Sequence, residues 1–194
     1  FIASLTDGTS TNYTEQGGSW YGSLETLEPT QMYKIRMQSS ATLTITGYPV
    51  DVTITPIALN NLKDDFVRER NALSSTEFSF SRFMIPHLMN YQGWALFMDC
   101  DMLMFEDVSK LWRMRDDSKA IQVCKHNYTP KEDKKFLGQV QTKYEKKNWS
   151  SFMLMNCKKC TTLTPDYVNK ASGLELHQFK WLEGDHLIGD LPLE

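Results

Sequence analysis

The sequence predicts an α/β domain over residues 51–194, an open and mostly parallel sheet flanked by helices, preceded by a small all-β module over residues 1–50. Three observations predict it. The runs Trp94–Met98 (WALFM), Ala120–Cys124 (AIQVC) and Phe152–Met155 (FMLM) are of strand length and carry little polar alternation, as in strands covered on both faces. Helix-start signals lie among them. Ser74-Ser75-Thr76-Glu77 sets Ser three residues before Glu, a capping box, and Thr164-Pro165-Asp166 gives cap, proline and acid in order. Before residue 50 the pattern instead alternates with period two, as in Tyr33-Lys34-Ile35-Arg36-Met37 and Leu43-Thr44-Ile45-Thr46, which marks half-buried strands.

The elements follow in order. Residues 1–50 carry only Asp7, Glu15, Glu25, Glu28, Lys34 and Arg36 as charges and are rich in Ser, Thr and Gly. Asp7-Gly8, Gly17-Gly18, Leu27-Glu28-Pro29 and Gly47 supply turns, so three or four short strands are expected. With neither His nor Cys there, chemistry is not expected in this stretch. Asp51–Ile57 reads as a strand and Leu62–Ala72 as a charged helix. The helix opened by Ser74 would run to about Met89 and bury Phe78, Met84, Ile85 and Leu88, with Pro86 kinking it or ending it early. Gly93 breaks the chain before Trp94–Met98.

Composition excludes several classes. The chain has 194 residues, 41% apolar and 12% aromatic, enough for a core and against disorder. No apolar run reaches the roughly 18–20 residues that span a bilayer, and no signal-peptide core opens the chain. A net charge of −3 argues against general nucleic-acid binding. The chain starts at Phe1 and stops at Leu193-Glu194, and is read as a fragment or processed piece. Its four cysteines, Cys100, Cys124, Cys157 and Cys160, are too few for a disulfide scaffold. Reduced thiols and a cytoplasmic location are the expectation. The set Met98, Met102, Met104, Met114, Met153 and Met155 is expected to pack the core.

Chemistry concentrates where WALFM ends, at Asp99-Cys100-Asp101. Carboxylates beside a buried strand are costly unless paired or metal-bound. At the carboxyl end of a parallel strand they face the crevice in which α/β proteins bind ligands. Two hard oxygen ligands one residue apart suit Mg²⁺ or Mn²⁺ shared with a diphosphate. The apolar Met102–Phe105, the acid Asp107 and the amphipathic Val108–Trp112 that follow make this more specific than a bare D-x-D.

Together these strings resemble the nucleotide-sugar glycosyltransferases of GT-A type, close to the family-eight-like bacterial and phage enzymes. The resemblance runs from about Pro49 to Glu194. It is carried by Ser75-Thr76-Glu77-Phe78 with Arg82-Phe83, Gly93–Asp101, Lys125-His126, Lys147-Asn148-Trp149-Ser150-Ser151, Trp181-Leu182 and Ile188–Leu193. It implies a GT-A-like (Rossmann-like) fold and transfer of a sugar from a nucleoside-diphosphate sugar, UDP-sugar foremost, to a hydroxyl acceptor. It implies Mn²⁺ or Mg²⁺ on Asp99 and Asp101, and donor contacts from Thr76, Arg82, Asp99, Ser150, Ser151 and Asn156. Glu183 and Asp185 match the acidic stretch near the reacting carbon, as general base or as partner of an oxocarbenium-like charge. Such enzymes usually open with a strand and helix that cradle the base and take a further ligand, often His, from a later region. Neither is matched here, so residues 51–194 are expected to be a partial domain. Residues 1–50 resemble a repeat module of bacterial surface proteins through Trp20-Tyr21-Gly22-Ser23-Leu24, Leu27-Glu28-Pro29 and Tyr33-Lys34.

Weaker signals are read conservatively. Cys157-Lys158-Lys159-Cys160 with Cys124 and His126 has too few of the spacings of a zinc site. The nine lysines between Lys125 and Lys159 read as a solvated face or a funnel for phosphates. Two alternatives stand beside the transferase. One is a nucleotidyltransferase of similar fold, which would show a Gly-rich loop. The other is a non-catalytic surface or binding protein led by the β module. No nucleic-acid partner and no transmembrane segment are expected.

Overall fold

The computed structural model describes residues 2–6, 11–14, 20–22, 34–37, 43–45, 52–62, 64–68, 79–126, 146 and 148–192. The chain divides into two compact units, residues 1–61 and 62–194. In the first, β1 (Ile2–Thr6), β2 (Thr11–Thr14), β3 (Trp20–Gly22) and β4 (Lys34–Met37) form a sheet of order β3-β2-β1-β4, antiparallel throughout. A second antiparallel pair joins β5 (Leu43–Ile45) to β6 (Val52–Ile54), Leu43 opposite Ile54. The strand expected over Asp51–Ile57 thus pairs within this unit.

The second unit is built on β7 (Trp94–Met98), β8 (Ile121–Val123), β9 (Phe152–Asn156) and β10 (Ile188–Asp190), in the order β10-β8-β9-β7. The expectation of a mostly parallel sheet is corrected here, because the sheet is mixed. Only β10 and β8 run parallel, and β9 is antiparallel to both of its neighbours. The reason is physical: an all-apolar run reports burial on both faces and is silent about a neighbour's direction. Met153, Leu154 and Met155 of β9 and Ile121 and Val123 of β8 are fully buried.

Among the described residues of this unit are four short α-helices: α1 (Ile85–Leu88), α2 (Val108–Arg113), α3 (Pro165–Lys170) and α4 (Gly173–His177). The signal at Thr164-Pro165-Asp166 does start a helix, with the Thr164 side chain accepting from the Tyr167 amide. The capping box at Ser74–Glu77 lies outside the described residues. Downstream of it a 3₁₀ turn, Ser81–Met84, leads into α1. Pro86 therefore stands in the first turn of α1, where a missing N–H costs nothing, and begins that helix. Leu62 and residues 64–68, read as helical from sequence, form turns and irregular chain. Met84 and Ile85 are buried as expected, and Phe83 is buried beside them, whereas Leu88 at the helix end is 45% exposed and Phe78 lies outside the described residues. The methionines also divide. Met153 and Met155 are core and Met104 is half-buried, but Met98, Met102 and Met114 are among the exposed apolar residues. No described helix is long and apolar enough to cross a membrane.

Candidate functional site

Strand register brings several chemically active segments to one edge of the second sheet. Met98 pairs with Phe152, Val123 with Met153, and Asp190 with Val123. The carboxyl ends of β7, β8 and β10 and the amino end of β9 therefore coincide. That edge carries Asp99-Cys100-Asp101, Cys124-Lys125-His126, Trp149-Ser150-Ser151 and Asp190. From β7 to β10 are three strand spacings, roughly 14 Å.

Asp99 is held on three sides. Its amide donates to the Ser151 carbonyl at 3.0 Å, which extends the β7–β9 ladder by one rung. Arg82, in the 3₁₀ turn before α1, grips its carboxylate with both terminal nitrogens, Nη1 to Oδ2 at 3.2 Å and Nη2 to Oδ1 at 3.0 Å. Such a fork fixes orientation as well as charge. Arg82 Nη1 also donates to the Ser150 carbonyl at 2.8 Å, and its guanidinium carbon lies 4.8 Å from the centre of the Phe97 ring. The Arg82 side chain is only 12% exposed against 28% for Asp99, and Arg82 Nε is buried with no hydrogen-bond partner. Ser150 is itself buried, and its Oγ lies 2.7 Å from Nδ1 of His177 at the end of α4. Asp101 is exposed two residues along.

At the other end of the edge Lys125 bridges β8 and β10. Its Nζ donates to Asp190 at 3.0 Å and to the Ile188 carbonyl at 3.2 Å, and stands 5.8 Å from the centre of the Trp149 ring. His126 beside it is exposed.

Of the residues expected to act, Arg82, Asp99, Asp101, Ser150 and Ser151 come together. Thr76 lies outside the described residues. Asn156 is buried at the carboxyl end of β9, opposite Trp94. Because β9 is antiparallel to β7, that is the sheet edge away from Asp99. Glu183 and Asp185 are exposed and precede the amino end of β10, and Lys146 reaches Asp185 and the Gln178 carbonyl. His177 and Asp190 belong to the constellation and are not among the expected residues. Asp190 lies in the string Ile188–Leu193, and its placement at the end of a strand parallel to β8 is the signal that finds it.

The cysteines do not converge. Cys124 follows the carboxyl end of β8, whereas Cys160 Sγ donates to the carbonyls of Ala120, before β8, and Asn156. Burial pushes the Cys157 thiol up to about 11 and the Cys160 thiol further still, which disfavours the thiolate that a metal needs.

A family model, glycosyl transferase family 8, matches residues 31–163, more than two thirds of the chain. The chain belongs to glycosyl transferase family 8. Membership carries a GT-A-type α/β fold, in accord with the mixed sheet and its flanking helices. The matched segment contains Arg82, Asp99, Asp101, Ser150 and Ser151, and it begins inside the stretch read from sequence as a separate module. Protein CDI of Arabidopsis thaliana is similar to this chain, 51% identical over 147 residues, which are 74% of this chain and 56% of that protein. The chain thus spans little more than half the length of this relative. No solved structure matches the chain.

The donor set at Asp99 and Asp101 fits a hard divalent cation of the magnesium type. Among the described residues no three His, Cys, Asp or Glu side chains gather to hold a metal. Mg²⁺ characteristically takes one or two carboxylates and fills its remaining positions with water and substrate phosphate, and two exposed or half-exposed carboxylates supply that number. With Arg82 on Asp99, the trio carries one net formal negative charge.

Proposed function

We propose that the chain forms the donor-binding part of a glycosyltransferase that moves a sugar from a nucleoside-diphosphate sugar, UDP-sugar foremost, to a hydroxyl acceptor. One observation carries the reading: within the family-matched segment, two carboxylates stand at the carboxyl end of β7, one of them clamped by a part-buried arginine. Asp99 and Asp101 would hold Mn²⁺ or Mg²⁺, which when bound neutralises charge developing on the leaving diphosphate. Arg82 orients Asp99 and keeps its carboxylate from turning away. Ser150 and Ser151 fix Arg82 and the Asp99 backbone through their carbonyls. Lys125 adds positive charge along the same edge. Preorganisation of this kind places fixed charges where the reaction develops charge and leaves little reorganisation for the chemical step. Asn156, at the opposite end of β9 from Ser151, and the exposed Glu183 and Asp185 receive no role in this proposal.

The test is calorimetric titration of the full chain with UDP, with and without Mn²⁺, beside Asp99→Asn and Asp101→Asn. The expected result is Mn²⁺-dependent binding that falls at least tenfold in either variant. Equal binding by both variants would instead favour a non-catalytic binding protein. Preference for nucleoside triphosphates over UDP would favour a nucleotidyltransferase.

A further inference from the structure

We propose that His177 is a positioning residue for Asp99, acting through Ser150 and Arg82. Its part in donor binding rests on the function proposed above, and the mechanical coupling stands on geometry alone. The linkage is continuous. His177 Nδ1 meets Ser150 Oγ at 2.7 Å, the Ser150 carbonyl takes Arg82 Nη1 at 2.8 Å, and Arg82 holds both Asp99 oxygens. The two contacts on Ser150 restrain different ends of one residue, so its peptide plane is fixed with its side chain. Release of the side chain frees the carbonyl that anchors Arg82. The clamp has little else to rely on, since Arg82 Nε has no partner and only the guanidinium tip makes hydrogen bonds.

His177 is in turn held firmly. Its ring packs edge-on to Phe83 at 5.2 Å between centroids and tilted to Phe80 at 5.6 Å. Two residues on, Phe179 is 2% exposed yet adopts a left-handed backbone, φ 56°. That conformation is strained for a bulky residue and persists where the surroundings over-determine it. Here Lys180 N donates to the Glu175 carbonyl at 2.9 Å and Phe179 packs edge-on to Trp181 at 6.1 Å. The end of α4 is therefore an anchored point from which His177 reaches Ser150.

Two substitutions separate the hydrogen bond from the packing. His177→Phe keeps a ring against Phe80 and Phe83 but has no polar atom for Ser150. His177→Asn loses the ring, but its side-chain amide stands at the distance from Cβ that Nδ1 occupies and keeps the contact. Two readouts are taken on the full chain. One is the Arg82 guanidinium signal in ¹⁵N-resolved NMR of the ligand-free protein, assigned by its loss in Arg82→Lys. The other is Mn²⁺-dependent UDP binding, alongside thermal melts.

In His177→Phe the Arg82 signal is expected to broaden into exchange and UDP affinity to fall about five- to tenfold, the size of one net hydrogen bond, with little change in melting. In His177→Asn both are retained while the melting temperature falls. An Arg82 signal unchanged in His177→Phe, or lost equally in both variants in proportion to melting, overturns the positioning role. Absence of UDP binding in the unsubstituted chain overturns the proposed function and with it the role in donor binding, while the Arg82 signal still decides the coupling.

Discussion

Cys157 and Cys160 lie fully buried at the turn after β9, Cys124 is half-buried with its Sγ donating to the Pro192 carbonyl at 3.4 Å, and Cys100 is exposed between the two aspartates. Burial raises the first three thiols, Cys157 to about 11. A raised thiol favours the neutral form in the native state. The stability contributed by Cys157 is therefore full below the ordinary value of 9.0 and is lost as pH rises toward about 11. Titration with a chromogenic disulfide at pH 8 is expected to show Cys100 reacting within seconds, Cys124 more slowly, and Cys157 and Cys160 only on unfolding. Fast reaction of all four thiols would contradict the burial. At this scale Asp99 and Asp101 stood out in the sequence because the signal is local, acids directly after an apolar run, whereas Arg82 was singled out only through the family resemblance. His177 was not legible. Its partner Ser150 lies 27 residues away, and only the packing of α4 beside the sheet brings the two together.

Among the elements, α3 and α4 show how far local signals reach. Ser172 caps α4 by accepting from the Glu175 amide at 3.1 Å, while the Glu175 carboxylate accepts from the Ser172 amide at 2.7 Å. A five-residue helix has few hydrogen bonds of its own, so its ends decide whether it forms. Ser172→Ala is expected to destabilise the protein by about 1 kcal/mol in urea titrations. It is also expected to weaken UDP binding in parallel if α4 anchors the site. The Glu175 carboxyl is held below its ordinary value, first by the hydrogen bond with Ser172. Stability from this group is therefore present above the ordinary carboxylate value and lost as pH falls through the lower, native one. Glu175→Gln should flatten that part of the acid limb in pH-dependent melts, and an unchanged limb would count against the box. Apolar runs located β7, β8 and β9 within a residue or two. Their directions were hidden, because period and composition encode which faces are covered, whereas direction is set by connections and register. For that reason the sequence did not show that Asn156, at the end of β9, lies at the opposite sheet edge from Asp99.

For the second unit as a whole, β9 is the structural centre. It lies between β8 and β7, and Met153, Leu154 and Met155 are each fully buried. Successive side chains on a strand face opposite ways, so the sheet must be covered on both faces at this point. The same strand begins at Phe152, directly after the Ser150 and Ser151 carbonyls that hold Arg82 and Asp99, so packing and site geometry share one segment. Leu154→Ala removes three buried carbon atoms from a strand pinned on both sides, where collapse to fill the space is difficult. A loss of about 2–5 kcal/mol is expected, a fall in the thermal midpoint of roughly 5–15 °C for a unit of this size. Leu103→Ala provides the contrast. Leu103 is 67% exposed in the chain after Asp101, and its truncation is expected to alter stability by no more than about 0.5 kcal/mol. Equal losses in the two variants would mean that β9 is not the centre of the core. A large loss in Leu154→Ala, with UDP affinity kept below the new midpoint, would show that the sheet tolerates a cavity without displacing the edge that carries Asp99.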